Sequence, residues 1–115
     1  MYNLENRTLE LAVTVRKFVQ LLPKTISNIE DGKQLVRSSG SIGANYIEAN
    51  EALSQKDFIM RVKISRKESK ETMFWLNVIL KSNSLESNIK IICESLIKET
   101  GEIRNILSAI LKKYV

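Results

Sequence analysis

The residues that could do chemistry in this chain are few. Glu48 and Glu51, and again Glu68 and Glu71, stand three apart, a spacing that puts each pair on one face of a helix. Carboxylates alone can hold a divalent metal, and all-α nucleotide hydrolases work through such clusters. The paired-motif spacing of those enzymes is missing, and Glu and Lys decorating a solvated face account for the same four residues. No histidine occurs among the 115 residues. That removes Ser-His-Asp and Cys-His nucleophiles, an imidazole base, His-containing zinc or di-iron sites, and a ribonuclease built on Arg and His. The lone cysteine, Cys93, has no base to activate it and no second thiol to bridge, so it reads as a small buried hydrophobe. A non-enzyme is expected, with no cofactor and no metal.

What remains is charge. Lys and Arg number 18 against 13 Asp and Glu, a net +5. Residues 54–82 hold seven of the basic groups and three of the acidic ones, so this segment alone carries +4. At about 100° per residue, Lys56, Lys63, Lys67, Lys70 and Lys81 fall in one narrow sector of a helix, and Arg66 flanks it. Such a row is what a phosphate-tracking surface looks like, and also what a plain solvated face looks like. In sequence, Glu68 and Glu71 interrupt it. A second polar stripe, Arg37, Ser41, Asn45 and Glu48, follows i, i+4, i+8, i+11. Arg37 and Glu48 are too far apart to bond, so each needs a partner on another helix or subunit. A hydrogen-bonded network that fixes helix register is the favoured reading of this stripe. Placing Arg37 and Asn45 on a ligand or nucleic acid is the other.

These faces require long helices. One proline and four glycines leave little room for the turns of an all-β fold, and 115 residues suit one domain over residues 1–115. Apolar and small residues recur at alternating steps of three and four in four runs. The first is Leu4, Thr8, Leu11, Val15, Phe18, Leu22, and the second is Leu35, Ser39, Ile42, Tyr46, Ala49, Leu53. The third is Phe58, Val62, Ser65, Ser69, Thr72, Leu76, Ile79. The fourth runs from Leu85 through Ile89, Ile92, Leu96, Glu99, Ile103 and Ile106 to Ile110. Four such seams joined by short connections predict an all-α, antiparallel up-down-up-down four-helix bundle. Asn3 is placed to cap the first helix, and Pro23 to stop it. Ser27–Glu30 reads as a capping box and Ser54–Asp57 as a variant of one. Ser84 or Ser87 is placed to cap the last helix.

Two places depart from an ordinary bundle. Gly40 and Gly43 sit inside the second helix, where each costs roughly 1 kcal/mol relative to alanine. Close approach to the small residues Ser65, Ser69 and Thr72 of the third helix explains them best. The GxxG clamp of a KH domain would need strands, and none are predicted. Met73 to Leu80 is apolar around most of its helix, and Ile91, Ile97, Leu107 and Leu111 repeat the excess on the fourth. The surplus points to self-association, with Met73, Phe74, Trp75 and Val78 as the interface. The run is broken by Asn77 and falls short of the roughly 20 residues of a membrane span. The first residues lack the basic-then-apolar pattern of a secretory signal, so a cytoplasmic location is expected.

At Val36–Asn50 (VRSSGSIGANYIEAN), followed by Lys56-Asp57-Phe58-Ile59 and Glu71-Thr72-Met73-Phe74-Trp75-Leu76, the sequence resembles a bacterial four-helix-bundle family. It is that of the 23S rRNA intervening-sequence proteins, also called S23-like. The family's Arg-x-x-x-Ser-Ile-x-Ala-Asn core matches at Arg37, Ser41, Ile42, Ala44 and Asn45, with Glu48 at its acidic position. The resemblance implies a homopentamer without catalytic residues, and some family genes lie inside insertions in 23S rRNA genes. A related branch resembles the accessory protein of diversity-generating retroelements, which binds a reverse transcriptase and nucleic acid. The expected function is a non-catalytic oligomer binding RNA or DNA through backbone phosphates. Lys56, Lys63, Arg66, Lys67, Lys70 and Lys81 would supply the charge, with Arg37 a weaker candidate. Few aromatics are available to stack bases, so the binding is expected to be largely sequence-independent. The alternative is a scaffold that docks a protein partner such as a polymerase.

Overall fold

Four helices carry the chain in the computed structural model, which describes residues 3–114: α1 (Leu4–Gln20), α2 (Ile26–Asn50), α3 (Gln55–Ser82) and α4 (Ser87–Lys112). No strand occurs among the described residues. Met1, Tyr2 and Val115, which the expected domain includes, lie outside them. Asn3 and Ser54 cap α1 and α3 as their spacing predicts, accepting from the amides of Asn6 and Asp57 at 3.1 Å. At α2 the cap is Thr25, whose hydroxyl accepts from the Asn28 amide at 3.1 Å, and not the expected Ser27 box. The earlier start lets Asn28 turn inward, where its side-chain amide donates to the Pro23 carbonyl and exchanges two 2.9 Å bonds with Asn83. At α4 neither serine caps: Glu86 holds the position without a side-chain bond, and its carboxylate suits the positive end of the helix dipole.

Each helix packs against its sequence neighbours, and α1 also meets α4. Thr8 lies against Gly43 and Val19 against Gly32, so α1 and α2 run in opposite directions. Asn28 with Asn83 and Ile42 with Ser65 show the same of α2 and α3. Leu76 with Cys93 and Met73 with Gly101 show it of α3 and α4. The α1 seam is buried throughout. In α2, Leu53 of the expected seam is fully exposed, because the helix ends at Asn50 and Leu53 falls in the connection to α3.

The fourth seam is also corrected. Its buried stripe is Cys93, Leu96, Thr100, Ile103, Leu107 and Leu111, while Ile89, Ile92, Ile106 and Ile110 sit half-buried at its edge. Leu107 and Leu111 are therefore core and not surplus. Apolar residues fill two adjoining stripes of α4, and the small side chains of Cys93 and Thr100 select the one that approaches the other helices. The Cys93 thiol reaches the Leu76 carbonyl at 3.5 Å, and burial pushes its pKa up to about 11. It is a packed, inert thiol.

The glycines of α2 face a different partner from the one expected. A Cβ on Gly43 would lie 2.7 Å from the Thr8 hydroxyl oxygen and 3.0 Å from its Cβ, so the close approach is to α1. The small residues of α3 meet α2 on another side: Ser65 donates to the Ile42 carbonyl at 2.7 Å, and the Thr72 and Ser38 hydroxyls lie 2.9 Å apart. Small residues thus let α2 sit close to both neighbours. No helix among the described residues is long and apolar enough to cross a membrane.

Candidate functional site

The long axis of α3 carries two charged surfaces of opposite character. On its outer face Lys56, Lys63, Lys67, Lys70 and Lys81 are all exposed. None of these five side chains makes an ion pair or hydrogen bond among the described residues. The first three border a shallow depression of about 400 Å³ floored by Ile59, Met60 and Ile64. Arg66 stands at the side of the row, half-buried. Lysine ammonium groups on flexible stems, free of partners, leave their full charge to solvent and to any polyanion that approaches.

Glu68 and Glu71 do not break this row in space. They turn to the α2 side, where Arg37 lies between them. Its guanidinium donates to Glu71 at 2.6 Å and to both oxygens of Glu68 at 3.2 and 3.5 Å. The hydrogen bond from Arg37 holds the Glu71 carboxyl below its ordinary range, helped by the Trp75 indole N–H at 3.4 Å. The same two carboxylates raise the Arg37 pKa and keep it charged. Glu68 is buried, so this cation compensates a carboxylate that has left water. About two turns further along α2, Asn45 donates to the Ser41 carbonyl at 2.9 Å and accepts from Arg61 of α3 at 3.3 Å. Glu48 is exposed and makes no such bond among the described residues. It sits eleven residues from Arg37, about three helical turns, so the four carboxylates do not converge. No group of three or more Cys, Asp or Glu that could hold a metal occurs among the described residues.

Of the expected interface residues, Met73 parts from the other three. Met73 turns to α4, 3.6 Å from where a Gly101 Cβ would stand and 3.9 Å from the Arg104 guanidinium. Trp75 is half-buried and bonded to Glu71. Phe74 points outward, 57 % exposed, with Val78 one turn on and half-buried. Phe74 and Trp75 touch and Val78 lies one turn from Phe74, so only Met73 stands apart. Two features escaped the spacing argument. Arg7 clamps Glu99 with two bonds of 2.6 and 2.9 Å and reaches Glu102 at 3.0 Å, tying α1 to α4. An apolar groove of about 440 Å³ lies between Leu4, Tyr46, Ile106 and Ile110. The spacing assigns Ile106 and Ile110 to the core seam, which hides the groove.

The geometry defines the class: a small four-helix protein with an Arg37-centred network between α2 and α3 and a basic outer face on α3. The chain belongs to the 23S rRNA-intervening sequence protein family, whose sequence model matches residues 3–109. It is similar to a crystallised protein of unknown function from the S23 ribosomal protein family of Bacteroides thetaiotaomicron VPI-5482. The two are 33% identical with a TM-score of 0.79, over 95% of this chain and 98% of that one. No curated protein matches the chain.

Proposed function

We propose that this is a non-catalytic protein that binds nucleic acid through backbone phosphates along the outer face of α3. The observation that carries the reading is the row of five exposed, unpaired lysines on one helix face. Arg37 drops out of the binding set, because its charge is spent on Glu68 and Glu71. The family's description ties it to segments within 23S rRNA, so fragments of that RNA are the first probe. Self-association, implied by the family resemblance, would repeat the row around a symmetry axis and sum its potential, provided the row stays outside the contact.

Filter binding of rRNA fragments tests the reading. Affinity should fall steeply between about 50 and 200 mM salt, as counterions compete for the phosphates. Absence of binding at the lower salt would sink it. Light-scattering mass with and without RNA reads assembly in the same samples.

A further inference from the structure

The lysine row has a gap, and an aromatic fills it. Lys56, Lys63, Lys67, Lys70, Phe74 and Lys81 succeed one another by seven, four, three, four and seven residues. Phe74 therefore occupies the row's own azimuth, in the stretch of about 16 Å between the last two lysines. It is 57 % exposed. Its ring is also held: Trp75 packs against it edge-on, with centroids 5.0 Å apart and planes at 80°, and Trp75 is anchored to Glu71. The contact holds the exposed ring in a set orientation, which lowers the entropy lost when a base stacks on it.

We propose that the α3 face selects single-stranded nucleic acid, with the lysines on phosphates along the strand and Phe74 stacked on an unpaired base. This rests on the phosphate-binding reading above and names its ligand class. Two physical arguments favour a single strand over a duplex. A duplex hides its base faces, so Phe74 would meet only sugar and phosphate, whereas an unpaired base offers a free face. A duplex is also a stiff convex rod that touches the convex outer face of a helix over a short length. A flexible strand can follow the row from Lys56 to Lys81, about 37 Å at 1.5 Å per residue.

Trp75 is the chain's only tryptophan and touches Phe74, so its emission reports on the site. The test is a fluorescence titration of the whole protein at about 50 mM salt. The probes are a mixed-sequence RNA strand of about 12 nucleotides, its blunt duplex, and the same strand lacking bases. The strand should bind about tenfold or more tighter than the duplex and quench Trp75, and the abasic strand should not quench it. Phe74→Leu, which keeps an apolar side chain and removes the π-face, should lose about tenfold for the strand and nothing for the duplex. Leu9→Met, at an exposed position on α1, which makes no contact with α3, should change neither. Equal affinity for strand and duplex, or an unaltered affinity of Phe74→Leu for the strand, overturns the proposal while leaving phosphate binding intact. A change of light-scattering mass in Phe74→Leu would also overturn it, by assigning Phe74 to a contact between protein chains. Failure of all three probes to bind would instead remove the underlying reading.

Discussion

The two flanks of α3 use charge in opposite ways. Toward α2, the Arg37 guanidinium lies between Glu68 and Glu71, and its positive charge is more than offset within 3.5 Å. On the outer face, five exposed lysines have no such partner among the described residues, and charge is left over. The residue types match the tasks. A planar, permanently charged fork suits a fixed multidentate contact with carboxylates, whereas a hydrated point charge on a flexible stem suits an irregular line of phosphates. The comparison shows why net charge is a poor guide to this protein. Its useful positive charge is what remains after the arginine-centred networks at Arg7 and Arg37 have absorbed four carboxylates.

If the flanks are separable, each should fail alone. The largest effect is expected from Lys63→Glu/Lys67→Glu/Lys70→Glu, which reverses the centre of the row. Affinity for an rRNA fragment should fall by about 100-fold or more at low salt, since three phosphate contacts become repulsions. Stability should stay within about 0.5 kcal/mol per site, because these side chains touch little. Urea melts and filter binding on the same preparation separate the two outcomes. Arg37→Ala should do the reverse. It leaves the buried Glu68 without its cation and should destabilise the fold by about 2–3 kcal/mol, while the salt slope of binding is unchanged. A variant that lost affinity with its salt slope reduced by about 1 would put Arg37 back on the nucleic acid.

Much of this division is legible in the sequence. The lysine row follows from helical phase alone, and the same phase puts Glu71 about 70° and Glu68 about 130° from its centre. Read along the chain they interrupt the row, and only read around the helix do they leave it. Arg37 needed a partner on another helix, but which carboxylate it meets depends on the α2–α3 register, set by contacts such as Ser65 with Ile42 that no local pattern encodes. Phe74 was hidden because apolar residues on a long helix suggest packing, although its offset of four from Lys70 places it on the row. In α4, isoleucines occupy two stripes, and hydrophobicity alone does not choose between them. The partner of Gly43 was misplaced for a similar reason: glycine signals close approach without saying to what.

That close approach offers a control in which charge has no part. Gly43→Ala would push a methyl to 2.7 Å from the hydroxyl oxygen of Thr8, a stubby, buried side chain already bonded to the Glu5 carbonyl. The net loss should be about 1–2 kcal/mol, overpacking outweighing the better helix propensity. Gly40→Ala, three residues away, meets only the flexible Arg16 guanidinium at 3.5 Å and should gain up to about 1 kcal/mol. Urea denaturation of the two variants at pH 7 and in acid gives opposite signs, each nearly independent of pH. A loss in both would show that α2 needs glycine for its own backbone and not for its distance from α1.

The smallest expected effect tests whether the Arg37 flank is held by charge at all. Arg37 lowers the Glu71 carboxyl below its ordinary value of 4.5, so between the two values the unfolded chain binds a proton that the folded one does not. The stabilisation is therefore complete above 4.5 and is lost as pH falls through the lowered folded value. Glu71 is about one-third exposed, which screens the pair and keeps this contribution modest. Urea denaturation of the natural protein and Arg37→Ala across this range should show their stability difference at its full size at pH 7 and narrowing once the pH drops below 4.5. A difference that stayed constant into strong acid would assign the loss to the alkyl stem of Arg37 packed between α2 and α3. The two flanks of α3 would then differ in packing and not in the fate of their charge.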